Sequence, residues 1–206
     1  MAIRYKTVGK EAHAEQVIER SRFIAHIAPV NDRAEAEEYI RSIRQQYRDA
    51  THNVPAFLVG EKQDLQWASD DGEPQGTSGA PIVQMLAKEG LTNVVCVVTR
   101  YFGGIKLGTG GLVRAYTSGA RLALEAAGIR EVKDMRCVRL RIPYNLLSRI
   151  QNMEQNLPFT LSDITYAEKI DLTLRFEPED ENAIMPLISE MTLGRPEILD
   201  ITDAVC

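Results

Sequence analysis

The apolar positions along the chain follow two rhythms, alternation in some stretches and three-and-four spacing in others. Short runs rich in β-formers predict strands over Ile3 to Val8, Ala14 to Ile18 and Phe23 to Ala28, with a turn at Glu19, Arg20 and Ser21. Ala36, Tyr39, Ile40, Ile43 and Tyr47 then share one stripe of a helix, for which Asn31 is the expected N-cap. Ala56 to Val59 and Leu65 to Ala68 predict a strand pair. Thr77, Ser78 and Pro81 announce a second helix that runs to about Lys88 and stops at Gly90. The unbroken apolar run Val94 to Val98 predicts a central strand covered on both faces. Leu112 to Ala127 predicts a third helix, ended by Gly128.

A charged connector (Arg130, Glu131, Lys133, Asp134) precedes a change of pattern. Cys137 to Ile142 alternates as a strand, Asn145 to Met153 reads as a helix, and Phe159 to Tyr166 and Ile170 to Phe176 read as strands. Pro178 to Met191 makes a second helix and Glu197 to Ile201 a last strand. The order β-α-β-β-α-β is the ferredoxin-like split βαβ unit. The fold class is therefore α+β in two domains, an α/β first domain over 1–134 and a ferredoxin-like second domain over 135–206.

The composition, 44% hydrophobic and 26% charged over 206 residues, is that of a globular protein and excludes a disordered or collagenous chain. The net charge of −5 argues against a protein that coats nucleic acid generally. Its distribution refines this: 17 basic and 17 acidic side chains lie in residues 1–134, then 7 and 12 in the rest, so the acidity belongs to the second domain. Cys96, Cys137 and Cys206 form no disulfide framework, and neither a signal peptide nor a membrane span is visible, so a cytoplasmic protein without a membrane partner is expected. The oligomeric state is open.

The segment from Tyr101 to Gly111 is the most informative for function. Five glycines (Gly103, Gly104, Gly108, Gly110, Gly111) between a buried strand and a helix let several backbone N–H groups aim at one point, beside the positive end of the helix. Arg100, Lys106 and Arg114 lie within reach. Phosphate, carboxylate or a nucleic-acid backbone is the indicated ligand class. The competing reading is a tight turn whose cations pair with nearby acids. No G-K-[ST] is present, and Val113 stands where the dinucleotide fingerprint wants a small residue, so neither ATP nor NAD is expected and no cofactor is assigned.

Asp70, Asp71 and Glu73 could hold a hard cation such as Mg²⁺, and Thr77 and Ser78 a phosphate, but the alternation also suits plain salt bridging to Arg100 and Arg114, too few oxygens line up for a calcium loop, and no metal is assigned. His52 is the histidine placed to matter, in a polar loop between helix and strand. Cys96 amid valines reads as structural. His13 and His26 read as surface or satisfied core positions, and Trp67, Tyr101 and Phe102 as core or support.

S-D-D-G-E-P-Q-G-T-S-G-A-P-I from Ser69 and N-V-V-C-V-V-T-R-Y-F-G-G-I-K-L-G-T-G-G-L-V-R-A-Y from Asn93 resemble the signature of the YigZ/IMPACT family. E-R-S-R-F-I-A from Glu19 and D-A-T-H-N from Asp49 resemble its shorter markers, while Val54 and Pro55 depart from a Cys and an aromatic residue often found there. The resemblance implies a first domain similar to domain two of ribosomal small-subunit protein five, and a second domain similar to one in elongation factor G. Eukaryotic relatives oppose activation of a translation-controlling stress kinase with the help of an additional N-terminal domain. This chain starts almost at the shared domain, so that role is not expected here. For bacterial members the implied role is contact with RNA or the ribosome.

The leading expectation is a non-enzymatic, translation-linked binding protein that meets RNA or the ribosome through the glycine-rich basic loop 100–114. Its acidic second domain would serve docking or selectivity. One rival is an enzyme on a small phosphorylated or carboxylated substrate, with a metal at Asp70, Asp71 and Glu73 and His52 as base. The other is a protein–protein adaptor.

Overall fold

The computed structural model describes residues 3–205, so Met1, Ala2 and Cys206 lie outside the described residues. The elements run β1 (Ile3–Val8), β2 (Ala12–Ile18), β3 (Ser21–Pro29), α1 (Arg33–Gln46), β4 (His52–Val59), β5 (Leu65–Ala68), α2 (Gly79–Lys88), β6 (Val94–Tyr101) and α3 (Gly108–Ala127). They continue β7 (Ile129–Ile142), α4 (Tyr144–Glu154), β8 (Phe159–Tyr166), β9 (Ile170–Phe176), α5 (Glu181–Met191) and β10 (Glu197–Val205). The chain divides into two compact units: one is Tyr5–Glu131, the other the described residues up to Arg4 and from Val132 on. Both β1 and β7 run across the division.

In the first unit five antiparallel strands stand in the order β2-β3-β6-β4-β5, with β6 at the centre. Alternation sends Val94, Cys96 and Val98 to one face, where they pack with Ile82 and Leu86 of α2 and Ala115, Tyr116 and Ala120 of α3. Val95 and Val97 face the other way, against Ala36, Ile40 and Ile43 of α1. Helices on both faces explain the unbroken apolar run, which an antiparallel strand with one wet face would not show.

Several local expectations need correcting. Asp32, not Asn31, caps α1, its Oδ1 accepting from the Glu35 N–H at 2.9 Å; Asn31 instead donates its amide to the Glu35 carboxylate. β4 begins at His52, so this histidine is the first residue of a strand and not a loop residue. Pro55 obscured that start, since proline withholds a ladder N–H; it lies where β5 ends, and Ser69 donates to its carbonyl. The charged connector belongs to β7, where Arg130 and Glu131 are exposed, Val132 is buried and Lys133 pairs with Glu177 at 2.7 Å. Helix α3 begins at Gly108, four residues before the first strong helix former.

In the second unit β10, β7, β9 and β8 are neighbours in that order, all antiparallel, the arrangement of a ferredoxin-like split βαβ unit. Ile150 of α4 and Ile184 and Ile188 of α5 cover one face, on Val138, Leu140, Leu172, Leu174 and Phe176. No helix among the described residues is long and apolar enough to cross a membrane.

Candidate functional site

The residues singled out in the sequence gather at one end of the first sheet, in two differently built places. The first is buried. Arg100 continues the parity of Val94, Cys96 and Val98, so its side chain enters the α2/α3 side of β6, where the residue is only 4% exposed. Its guanidinium lies over the rings of Phe23 and Phe102, at 5.4 and 5.3 Å, and donates from Nη1 to Glu73 Oε1 at 2.6 Å. Tyr116 of α3 donates to the same oxygen at 2.7 Å. Burial, reinforced by that hydrogen bond, pushes the Tyr116 phenol above its usual range.

His52 stands at the mouth of this network. Its Nδ1 lies 2.8 Å from the Asp71 carbonyl, which only accepts, so Nδ1 carries a proton, and Nε2 turns toward Glu73 Oε1, 3.8 Å away. The Asp71 carboxylate accepts from the Asn53 N–H and from Arg44. Asp70 caps α2 from a distance, accepting from Ser78 Oγ at 2.7 Å and from the Gly76, Ser78 and Gly79 N–H groups. The three acids thus turn to three separate sets of donors, and among the described residues no group of three or more His, Cys, Asp or Glu side chains is placed to hold a metal. Thr77 and Ser78 are buried and donate to Pro74 and Asp70, so their hydroxyls face inward. Cys96 is fully buried and burial pushes its thiol up to about 12, as suits a structural cysteine.

The second place is open. After Phe102 the chain passes Gly103 to Leu107 and enters α3. Gly103 packs on the backbone of the β2–β3 hairpin: an added Cβ would overlap the Arg20 carbonyl, so no larger residue fits. Gly108 starts α3 with φ +68°, a left-handed backbone that glycine adopts without strain. Gly104 lies in the exposed loop, and Gly110 and Gly111 in the first turn of the helix rather than in the loop. Leu107 stands at the N-cap of α3 and supplies no side-chain acceptor, and the first turn carries no acid, so the helix presents its amides and positive dipole end uncapped.

Lys106 and Arg114 line a cleft of about 420 Å³ beside this turn, together with Ile18, Glu19, Ile105 and Ser118. Both cations are exposed and make no ion pair among the described residues. The three cations therefore part company: Arg100 is engaged internally, while Lys106 and Arg114 face solvent. Tyr116, Asn53 and Ser21, whose hydroxyl accepts from Arg100 Nη2 at 3.3 Å and from the Gly103 N–H at 3.2 Å, escaped sequence reading as site residues. The signal for Tyr116 was present, since it falls on the apolar stripe of α3 as a buried hydroxyl that needs a partner.

Residues 19–124 match the Impact N-terminal domain family and 140–195 the family called domain of unknown function DUF1949. Every site residue from His52 to Arg114 falls inside the first match. The chain is 41% identical over 194 residues to IMPACT family member YvyE of Bacillus subtilis (strain 168), covering 94% of this chain and 89% of the relative. It is 38% identical over 136 residues to IMPACT family member YigZ of Escherichia coli (strain K12), covering 65% and 67%. A crystal structure titled only as a hypothetical protein aligns over 96% of this chain and 97% of its own, with a TM-score of 0.61 and 27% identity.

Proposed function

Because the chain belongs to the IMPACT family, we propose that it is a non-enzymatic, translation-linked regulatory protein that holds RNA by its phosphates at the turn into α3. The link to translation is carried from the family resemblance. The phosphate grip is supported chiefly by one observation: Lys106 and Arg114 stand exposed and unpaired beside an uncapped helix start. The amides and the dipole fix an anion's position, and the two cations add Coulomb attraction that falls with salt. An acid–base role for His52 and Glu73 is less well supported, because Glu73 is held by Arg100 and Tyr116.

Fluorescence anisotropy with a short single-stranded RNA at two salt concentrations tests this. Wild type is expected to bind at low salt with a steep salt dependence. A Lys106→Ala, Arg114→Ala double variant should lose affinity and flatten the log–log salt slope by about 1.4, at about 0.7 per phosphate contact on a single strand. No binding by wild type at low salt overturns the reading.

A further inference from the structure

The segment between β6 and α3 is held by very few hydrogen bonds. Among the described residues, the N–H of Phe102 donates to Thr51 Oγ1 at 3.0 Å and that of Gly103 to Ser21 Oγ at 3.2 Å, and no other N–H from Phe102 to Leu107 donates to a protein group. Glycine loses more conformational freedom on ordering than any other residue, so a loop opening on Gly103 and Gly104 needs ties from outside to keep one course. Close packing of Gly103 on the Arg20 carbonyl supplies one, and the two hydroxyls supply the others.

The two hydroxyls stand in different surroundings. Thr51 is exposed, whereas Ser21, the first residue of β3, is fully buried. A serine oxygen has two acceptor lone pairs, and here a loop amide takes one and a buried cation the other: Ser21 Oγ also accepts from Arg100 Nη2 at 3.3 Å. Nη1 of the same guanidinium holds Glu73, which accepts from Tyr116 about two turns into α3. One run of hydrogen bonds thus reaches from the Gly103 amide, where the loop starts, to the helix where it ends. Lys106 lies between these ties, and Arg114 lies on the tied helix.

We infer that Ser21 is a positioning residue for the turn into α3: fully buried, it never touches RNA, and through the Gly103 amide it fixes the loop that carries Lys106. The inference rests on the reading of that turn as a phosphate grip. Removing the hydroxyl leaves both cations in place, which separates affinity, where the cost of ordering the loop enters, from the salt slope, which counts phosphate contacts.

Ser21→Ala in the full-length protein is compared with wild type by anisotropy with the same single-stranded RNA and by amide hydrogen exchange. RNA affinity should fall about fivefold, the equivalent of one hydrogen bond, with the wild-type salt slope retained. The Gly103 amide should exchange faster while the amides of β6 keep their protection. Wild-type affinity in Ser21→Ala overturns this inference and leaves the phosphate grip standing. A slope flattened as in the Lys106→Ala, Arg114→Ala variant, or protection lost throughout β6, also overturns it, the first because ionic contacts have gone and the second because the role is structural. No RNA binding by wild type overturns the grip, and this inference with it.

Discussion

Glu73 shows how much a single side chain carries in this fold. Its side chain is 4% exposed and that of Arg100 5%, so each charge depends on the other for its solvation, with Tyr116 also donating to Glu73 and Ser21 accepting from Arg100. Breaking a buried pair by neutralising one partner leaves the other unpaired and costs about 3–5 kcal/mol. Glu73→Gln keeps the shape and removes the charge, and should lower unfolding stability by an amount in that range, read from urea denaturation. An effect under about 1 kcal/mol would mean that Arg100 finds another partner. The position of Arg100 was legible in principle. Period-two parity puts residue 100 on the face of Val94, Cys96 and Val98, inside the core, whereas proximity to the glycines in sequence suggests the surface. Parity is the stronger argument wherever a strand is buried on both faces. For Lys106 and Arg114 no such conflict arose, because one is in a loop and the other on the exposed side of a helix.

Among the elements, α2 depends on a residue outside itself. Burial pushes the Asp70 carboxyl up, but the hydrogen bond from Ser78 and the N–H groups of Gly76, Gly79 and Ser78 together outweigh it and hold the group below its ordinary 3.8. The folded protein therefore takes up this proton less readily than the unfolded chain. The stabilisation is fully present above about pH 4 and is lost as the pH falls through 3.8 and below. Asp70→Ala should cost about 1–2 kcal/mol at pH 7, as loss of a cap does. The gap between variant and wild type should shrink as urea unfolding is repeated at pH 4 and then pH 3; a gap constant with pH would show that the carboxylate charge is not what holds the turn. Ser78 fills the N-cap position without bonding the helix amides itself, so an Asp eight residues upstream is invisible to any reading of local capping sequence. The start of α3 was missed for a related reason. Gly108, Gly110 and Gly111 are poor helix formers in isolation, and packing of the rest of the helix against the sheet extends it over them.

At the scale of the whole molecule, the change in sequence pattern after Gly128 and the shift in charge both pointed to two domains. The reach of β1 and β7 across the division was not visible, because a charged, half-exposed strand reads like a linker. Each unit has its own hydrophobic core, around β6 in one and around β7 and β9 in the other. Separate cores make separate cooperative units the expectation, with a consequence that a single tryptophan makes measurable. Trp67 lies in β5, stacked on Phe57 at 5.4 Å, so its fluorescence follows the first unit alone. Leu172 is fully buried in the second core. Leu172→Ala should cost about 2–5 kcal/mol there through lost transfer energy and the cavity left behind. In denaturant, far-ultraviolet circular dichroism of the variant should show an earlier transition, while the Trp67 midpoint stays with wild type. If the Trp67 midpoint moves by as much as the dichroism, the two cores unfold as one, and an effect of the acidic unit on RNA binding would have to be sought in that coupling as well as in its charge.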